Sequence, residues 1–171
     1  MSTLQSDPEH LHNAQQFSAD DVMERIALAK AQCRIRGVRF TPLRQQIYKL
    51  ILVANKPVGA YDLMAQLQQL RLSSTDSHSQ KNVAPPTVYR SLEFLLDEGL
   101  IHQLTSLNAF VPCCHPRAKH TAAFLICDTC LRVQECSSLP IQEMMIFAEK
   151  DMAFMVNRSV IELSGRCQAC Q

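Results

Sequence analysis

Two short cysteine pairs carry the strongest chemical signal in the sequence: Cys127-Asp128-Thr129-Cys130 and, at the chain terminus, Cys167-Gln168-Ala169-Cys170. Two cysteines in one tight turn present both sulfurs to a common point, and two such turns complete a tetrahedral four-sulfur shell. That is the donor set of a structural zinc site. The competing chemistry is a thiol–disulfide couple. It calls for a helix N-terminus and a strand–helix–strand context, and neither pair has these. Cys127, Cys130, Cys167 and Cys170 are therefore expected to bind one Zn²⁺ that ties the last strand to the rest of its domain.

A second group of donors lies around the middle of the chain: His102, Cys113, Cys114, His115, His120, Glu135 and Cys136. Imidazole, thiolate and carboxylate together suit Zn²⁺, and the thiolate biases against hard cations. Spacing alone does not choose between Cys113 and Cys114. Each residue also has an ordinary reading, as a satisfied surface or core histidine or as buried cysteine packing. Cys33 and Cys136 read as small core hydrophobes.

The third chemistry is polyanion binding. Between Lys30 and Arg90 there are ten basic residues against Asp62 and Asp76 alone, a local net of +8 in a chain whose total is +1. From Leu100 onward, six basic residues meet six acidic ones. A field of this kind attracts nucleic acid, with affinity from counterion release. The bland reading is a solvated basic face. Within the basic half, "PPTVYRSLEFLLDEGLI" reads as a recognition helix whose first turns carry Thr87, Tyr89 and Arg90. Arg90 has the reach for a guanine edge or a phosphate. Tyr61, at the start of the preceding helix, is placed to touch base or backbone.

These groups need elements to hold them. The 171 residues are 47% hydrophobic and 19% charged, enough to build a core, and without tryptophan that core must rest on Leu, Ile, Val and Met. Residues 1–20 read as a frayed, disordered N-terminus without signal-peptide character. No apolar run approaches the ~18 residues of a membrane span. The expectation is a cytoplasmic protein with reduced cysteines. Helices are predicted over 21–36, from Pro42 with Thr41 as N-cap, over about 60–72 with Leu63, Leu67 and Leu70 inward, and from Pro85 to Gly99. In the last of these, Val88, Leu92, Leu95 and Leu96 form an apolar stripe. A polar loop occupies 73–84, and two short strands turn near Asn108. Three helices and a hairpin outline a winged helix-turn-helix. After "CCHPRAK" come the strands "HTAAFLIC" and "VQEC", a helix in "PIQEMMIFAEKDMAF" and a strand in "NRSVIELSGRC". The expected fold class is α+β: a disordered stretch 1–20, a winged-helix DNA-binding domain 21–112, a hinge 113–119 and a small α/β dimerisation domain 120–171. The last buries little surface and needs metal, a partner chain or both.

"TPLRQQI", "AYDLM", "PPTVYRSLEFLLDEGLIH" and "HTAAFLICDTC" followed by a second Cys-x-x-C resemble the ferric uptake regulator family, most closely its zinc uptake regulator branch. The resemblance runs from about Val22 to Cys170. It implies a homodimeric repressor, not an enzyme, that binds palindromic double-stranded operator DNA of zinc uptake genes and holds two Zn²⁺ per chain. It implies structural zinc on Cys127, Cys130, Cys167 and Cys170, and regulatory zinc on His102, Cys113, His120 and Glu135, bridging the two domains. Tyr61, Tyr89 and Arg90 match its DNA contacts. The iron-sensing branch carries a dense histidine cluster where this chain has "CCHPRAKHTAAF", which argues against iron and peroxide sensing. The alternatives are a zinc-stabilised thiol oxidoreductase with one catalytic Cys-x-x-C, a metal-buffering module without DNA binding, and a family member that senses another metal.

Overall fold

A computed structural model describes residues 11–13, 17–73, 83–116, 122–136, 141–156 and 159–171, with 11–13 and 142 described by backbone alone. The chain divides into a helical unit, Gln16–Arg117, and a sheet unit, Met1–Gln15 with Ala118–Gln171.

The helical unit begins with α1 (Ala19–Ile35). Ser18 caps it reciprocally with Asp21: the Asp21 N–H donates to Ser18 Oγ at 3.1 Å, and the Ser18 N–H donates to Asp21 Oδ2 at 2.9 Å. The frayed stretch expected through residue 20 is corrected here. The S-x-x-D spacing already marked this helix start. Gly37, with φ +69°, closes α1, its N–H bonding to Arg34 O and that of Val38 to Cys33 O. Then follow α2 (Pro42–Val53), β2 (Val58–Gly59), α3 (Ala60–Leu72), α4 (Pro85–Asp97), β3 (Ile101–Leu104) and β4 (Ala109–Pro112). Thr41 caps α2 as expected, its hydroxyl accepting from the Arg44 N–H.

Periodicity becomes burial along these helices. Val22, Ala29 and Cys33 of α1, Ile47, Ile51 and Leu52 of α2, Leu63 and Leu67 of α3, and Val88, Leu92 and Leu95 of α4 are at most 2% exposed. Each fully buried Leu or Ile contributes about 1.5–3 kcal/mol relative to exposure. Leu70 departs from the expectation: at the last turn of α3 it is 44% exposed. Gly99, with φ +62°, ends α4 in the same way as Gly37 ends α1, with the Leu100 N–H on Leu95 O, and turns the chain into the wing. The wing is an antiparallel β3–β4 hairpin around Asn108. The two-residue β2, which the sequence did not announce, adds to it as a third strand in the order β2-β4-β3.

The sheet unit contains β1 (Leu11–Asn13), β5 (Ala123–Cys127), β6 (Val133–Cys136), α5 (Ile141–Lys150) and β7 (Ile161–Gly165) in a sheet of order β1-β6-β5-β7. Residues 11–13 thus form an edge strand antiparallel to β6, a second correction to the frayed N-terminus. β5 and β7 run parallel, Ala123 opposite Ile161 and Cys127 opposite Gly165. α5 stops at Lys150, short of the Phe154 expected. Ala153 adopts φ +50° while the Phe154 N–H bonds back to Ala148 O.

Candidate metal centres and nucleic-acid interface

The parallel register of β5 and β7 brings the cysteine pairs together. Both strands end at the same edge, so the turn after Cys127 and the turn after Gly165 are neighbours. The first turn is pinned by Cys127 N–H to Arg132 O and Leu131 N–H to Cys127 O, each 2.9 Å, with Leu131 at φ +57°. The Asp128 N–H reaches Gly165 O at 2.8 Å and locks it to the second. That second turn is a single 3-10 turn, Gln168–Cys170.

As a result, Sγ of Cys127, Cys130, Cys167 and Cys170 all lie within 4.8 Å of one another. Cys130 and Cys167 are 3.8 Å apart. A tetrahedral Zn–S shell with bonds of about 2.3 Å sets its sulfurs about 3.8 Å apart, so the four thiols fit zinc. The backbone favours thiolate at one corner. The N–H of Cys167, 3.4 Å from Cys127 Sγ, and then that of Cys130 bring the Cys127 thiol down to about 6. Cys170 is pushed up to about 12, its proton held first by hydrogen bonding with Cys167 and then with Cys130. One thiolate is thus prepared by backbone dipoles, and a divalent cation bound here would supply the field that deprotonates the others.

In the helical unit, His102 of β3 and Cys113 just beyond β4 form the second donor group. A ring nitrogen of His102 and Sγ of Cys113 lie within 4.8 Å of one another. Hairpin register explains this: His102 pairs with Val111, and the Cys113 N–H bonds to Leu100 O at 3.1 Å. Cys113 is buried and Cys114 half-buried, which favours Cys113 as the partner of His102 within this unit. Glu135 lies on β6 of the sheet unit, buried and opposite Phe124 in register. His120 lies outside the described residues, as do most of the 73–84 loop and His78. Cys33 and Cys136 are buried, as a core role requires.

Sequence reasoning passed over Arg25, which makes the polar tie behind Cys113. Its guanidinium donates to Cys113 O at 2.9 Å and to Cys114 O at 3.2 Å. It also lies 4.2 Å from the centre of the Phe17 ring. Nothing in the residue spacing signals this contact.

The candidate DNA residues are all exposed. Tyr61, the second residue of α3, is 77% exposed, and Thr87, Tyr89 and Arg90 line the outer side of the first two turns of α4. The inner side of those turns is tied down by Ser91, whose hydroxyl donates to Thr87 O at 2.8 Å. Pro85 and Pro86 open α4 and carry no N–H, so the helix start leaves fewer unpaired donors. The +8 count overstates the free field, because two of its members do structural jobs. Arg36 pairs at 3.1 Å with Glu98, a buried carboxylate at the end of α4. Arg44 lies 3.7 Å over the Phe94 ring and donates to Arg39 O.

Relatives share both the sequence pattern and the fold. The profile of the ferric uptake regulator family matches residues 35–163. The zinc uptake regulation protein of Escherichia coli K12 is 34% identical over 148 residues, 86% of this chain and 81% of that protein. The peroxide-responsive repressor PerR of Staphylococcus aureus USA300 is 25% identical over 144 residues, 82% of this chain and 88% of that one. Among solved structures, a zinc uptake regulator complexed with zinc and DNA superposes with TM-score 0.76 at 34% identity, covering 87% of this chain and 94% of that one. Holo XcZur gives 0.72 at 36% identity, covering 86% and 96%. With the winged helices, the wing and the four-cysteine turn all in place, the chain belongs to the ferric uptake regulator family.

Proposed function

We propose that this protein is a zinc-responsive transcriptional repressor of zinc uptake genes. It acts as a homodimer in the cytoplasm, not as an enzyme, on pseudo-palindromic operator DNA. The observation that carries the reading is the His102–Cys113 donor pair on the wing of a DNA-reading unit, set apart from the four-cysteine cluster. A four-thiol cluster accounts for a structural ion, and a second, mixed donor pair on the wing calls for a different role. The likeness to a zinc uptake regulator complexed with zinc and DNA supports the same assignment.

Among the described residues, no helix is long and apolar enough to cross a membrane. In the sheet unit, Met144, Phe147, Met152, Phe154 and Met155 are exposed on and after α5. We assign this apolar surface to the partner protomer, since a monomer seldom leaves so much of it in water.

In this reading, Cys127, Cys130, Cys167 and Cys170 hold a permanent zinc. His102 and Cys113, with His120 and Glu135, hold the sensing zinc. When bound, that second ion would leave the site near electrical neutrality. His102 and Cys113 then fix the wing and the end of β4. Tyr61, Thr87, Tyr89 and Arg90 present the reading surface. Two such surfaces in a dimer must sit about 34–36 Å apart to enter successive major grooves. Shifting a dimer almost completely from a non-binding to a DNA-binding arrangement takes a differential zinc affinity for the two of about 5.5 kcal/mol.

Substitution of His102 by Ala tests the assignment. The variant is expected to remain a folded dimer with one zinc per chain. Its zinc-dependent affinity for an AT-rich palindromic duplex is expected to fall at least about a hundredfold, toward non-specific binding. Metal analysis and gel shift at fixed salt read both quantities. Tight operator binding by this variant without added zinc would overturn the assignment.

A further inference from the structure

We infer that Arg25 is a positioning residue for the sensing site: its guanidinium holds the Cys113–Cys114 peptide in the conformation that presents Cys113 Sγ beside His102. The inference rests on the sensor reading above and adds a residue to it. Arg25 sits two turns into α1, far from the wing in sequence. Its two hydrogen bonds, 2.9 Å to Cys113 O and 3.2 Å to Cys114 O, grip two successive carbonyls of the segment that leaves β4. β4 ends at Pro112, and the two carbonyls that follow both accept from the guanidinium.

The guanidinium is itself held in place. The Phe17 ring lies against it, and the Tyr48 hydroxyl lies within its field. Tyr48 is fully buried, and its Oη has no hydrogen-bond partner among the described residues. A planar fork is needed to reach both carbonyls, which a lysine ammonium on a flexible stem cannot reproduce. Groups that orient a metal ligand without touching the metal commonly change its affinity by about 10–100-fold. Arg25 acts on the ligand's backbone, so the lower end of that range applies.

The test compares Arg25→Gln, Arg25→Lys and Cys113→Ser in the full chain, with zinc as the probe. Zinc per chain, the zinc midpoint against a chromophoric chelator, and amide exchange at Cys114 and His115 are the readouts. Arg25→Gln is expected to keep the four-cysteine zinc, weaken the second zinc midpoint about tenfold and speed exchange at both amides. Arg25→Lys should fall between it and the parent. A midpoint within twofold of the parent for Arg25→Gln, with loss of the second zinc in Cys113→Ser, overturns the role of Arg25 and leaves the sensor reading standing. Retention of two zincs per chain by Cys113→Ser overturns the sensor reading itself. If Arg25→Gln does not fold, Arg25→Lys decides: faster exchange with a weaker midpoint supports the inference, and parental values for both overturn it.

Discussion

The helical unit and the sheet unit stabilise themselves by different means. In the helical unit, residues from all four helices and the wing converge on one apolar cluster, and its central leucines and isoleucines are fully shielded. The sheet unit has a four-stranded sheet and one helix, with Ala123, Phe124, Ile126, Val133 and Ile141 buried, while Phe147, Met152, Phe154 and Leu163 remain half or more exposed. A layer this thin cannot offset the conformational entropy of its own chain from apolar burial alone. The two cysteine turns and the uncovered apolar surface belong to the unit that needs them. Stability is thus divided: one unit folds on its own core, and the other, in the proposed reading, is completed by metal and partner.

Cys127→Ser should break this contrast most severely. Removing one thiolate is expected to abolish the structural zinc and the cooperative unfolding of the sheet unit, while the helical unit keeps its helicity. Metal content and circular dichroism would show it. A variant that lost zinc yet kept a folded sheet unit would mean that this unit stands on burial after all. In the helical unit, Leu95→Ala should cost about 2–5 kcal/mol, read by denaturant unfolding of the full chain, because the fully buried site leaves a cavity. Zinc content should not change. Coupled loss of zinc and core stability would blur the division.

The smallest effect sharpens the helical side. Asp21 is held below its ordinary 3.8, first by the Ser18 hydroxyl and then by the Ser18 N–H, with Arg25 adding a weaker pull. A carboxylate whose folded-state value is depressed stabilises fully above the ordinary value, and the gain disappears as pH falls through the lower, folded value. Asp21→Ala should therefore lower the melting temperature slightly at neutral pH, and the difference should vanish in acid.

Much of the helical unit was legible in sequence because its signals are local. Thr41-Pro42, the Leu63/Leu67 spacing and the Val88/Leu92/Leu95 stripe each act within one or two turns of their own helix. The misses were of two kinds. Ser18 and Asp21 carried a readable capping signal that an expected frayed terminus obscured. β1, β2 and the Arg25 tie to Cys113 and Cys114 carried none, since each depends on a partner some fifty or more residues away. The charge count was legible but incomplete, because sequence does not tell a solvated arginine from one stacked on Phe94 or paired with Glu98.

By itself the sequence determined the donor types, the paired cysteine turns, the helix caps and the family, all of which follow from residue identity at short spacing. Only the tertiary structure decided that parallel pairing of β5 with β7 delivers four sulfurs to one point, and that Arg25 grips the peptide at Cys113. The physical reason is range. Caps and periodicity act over a few residues, whereas strand register and a half-buried guanidinium answer to groups that meet only after the chain has folded.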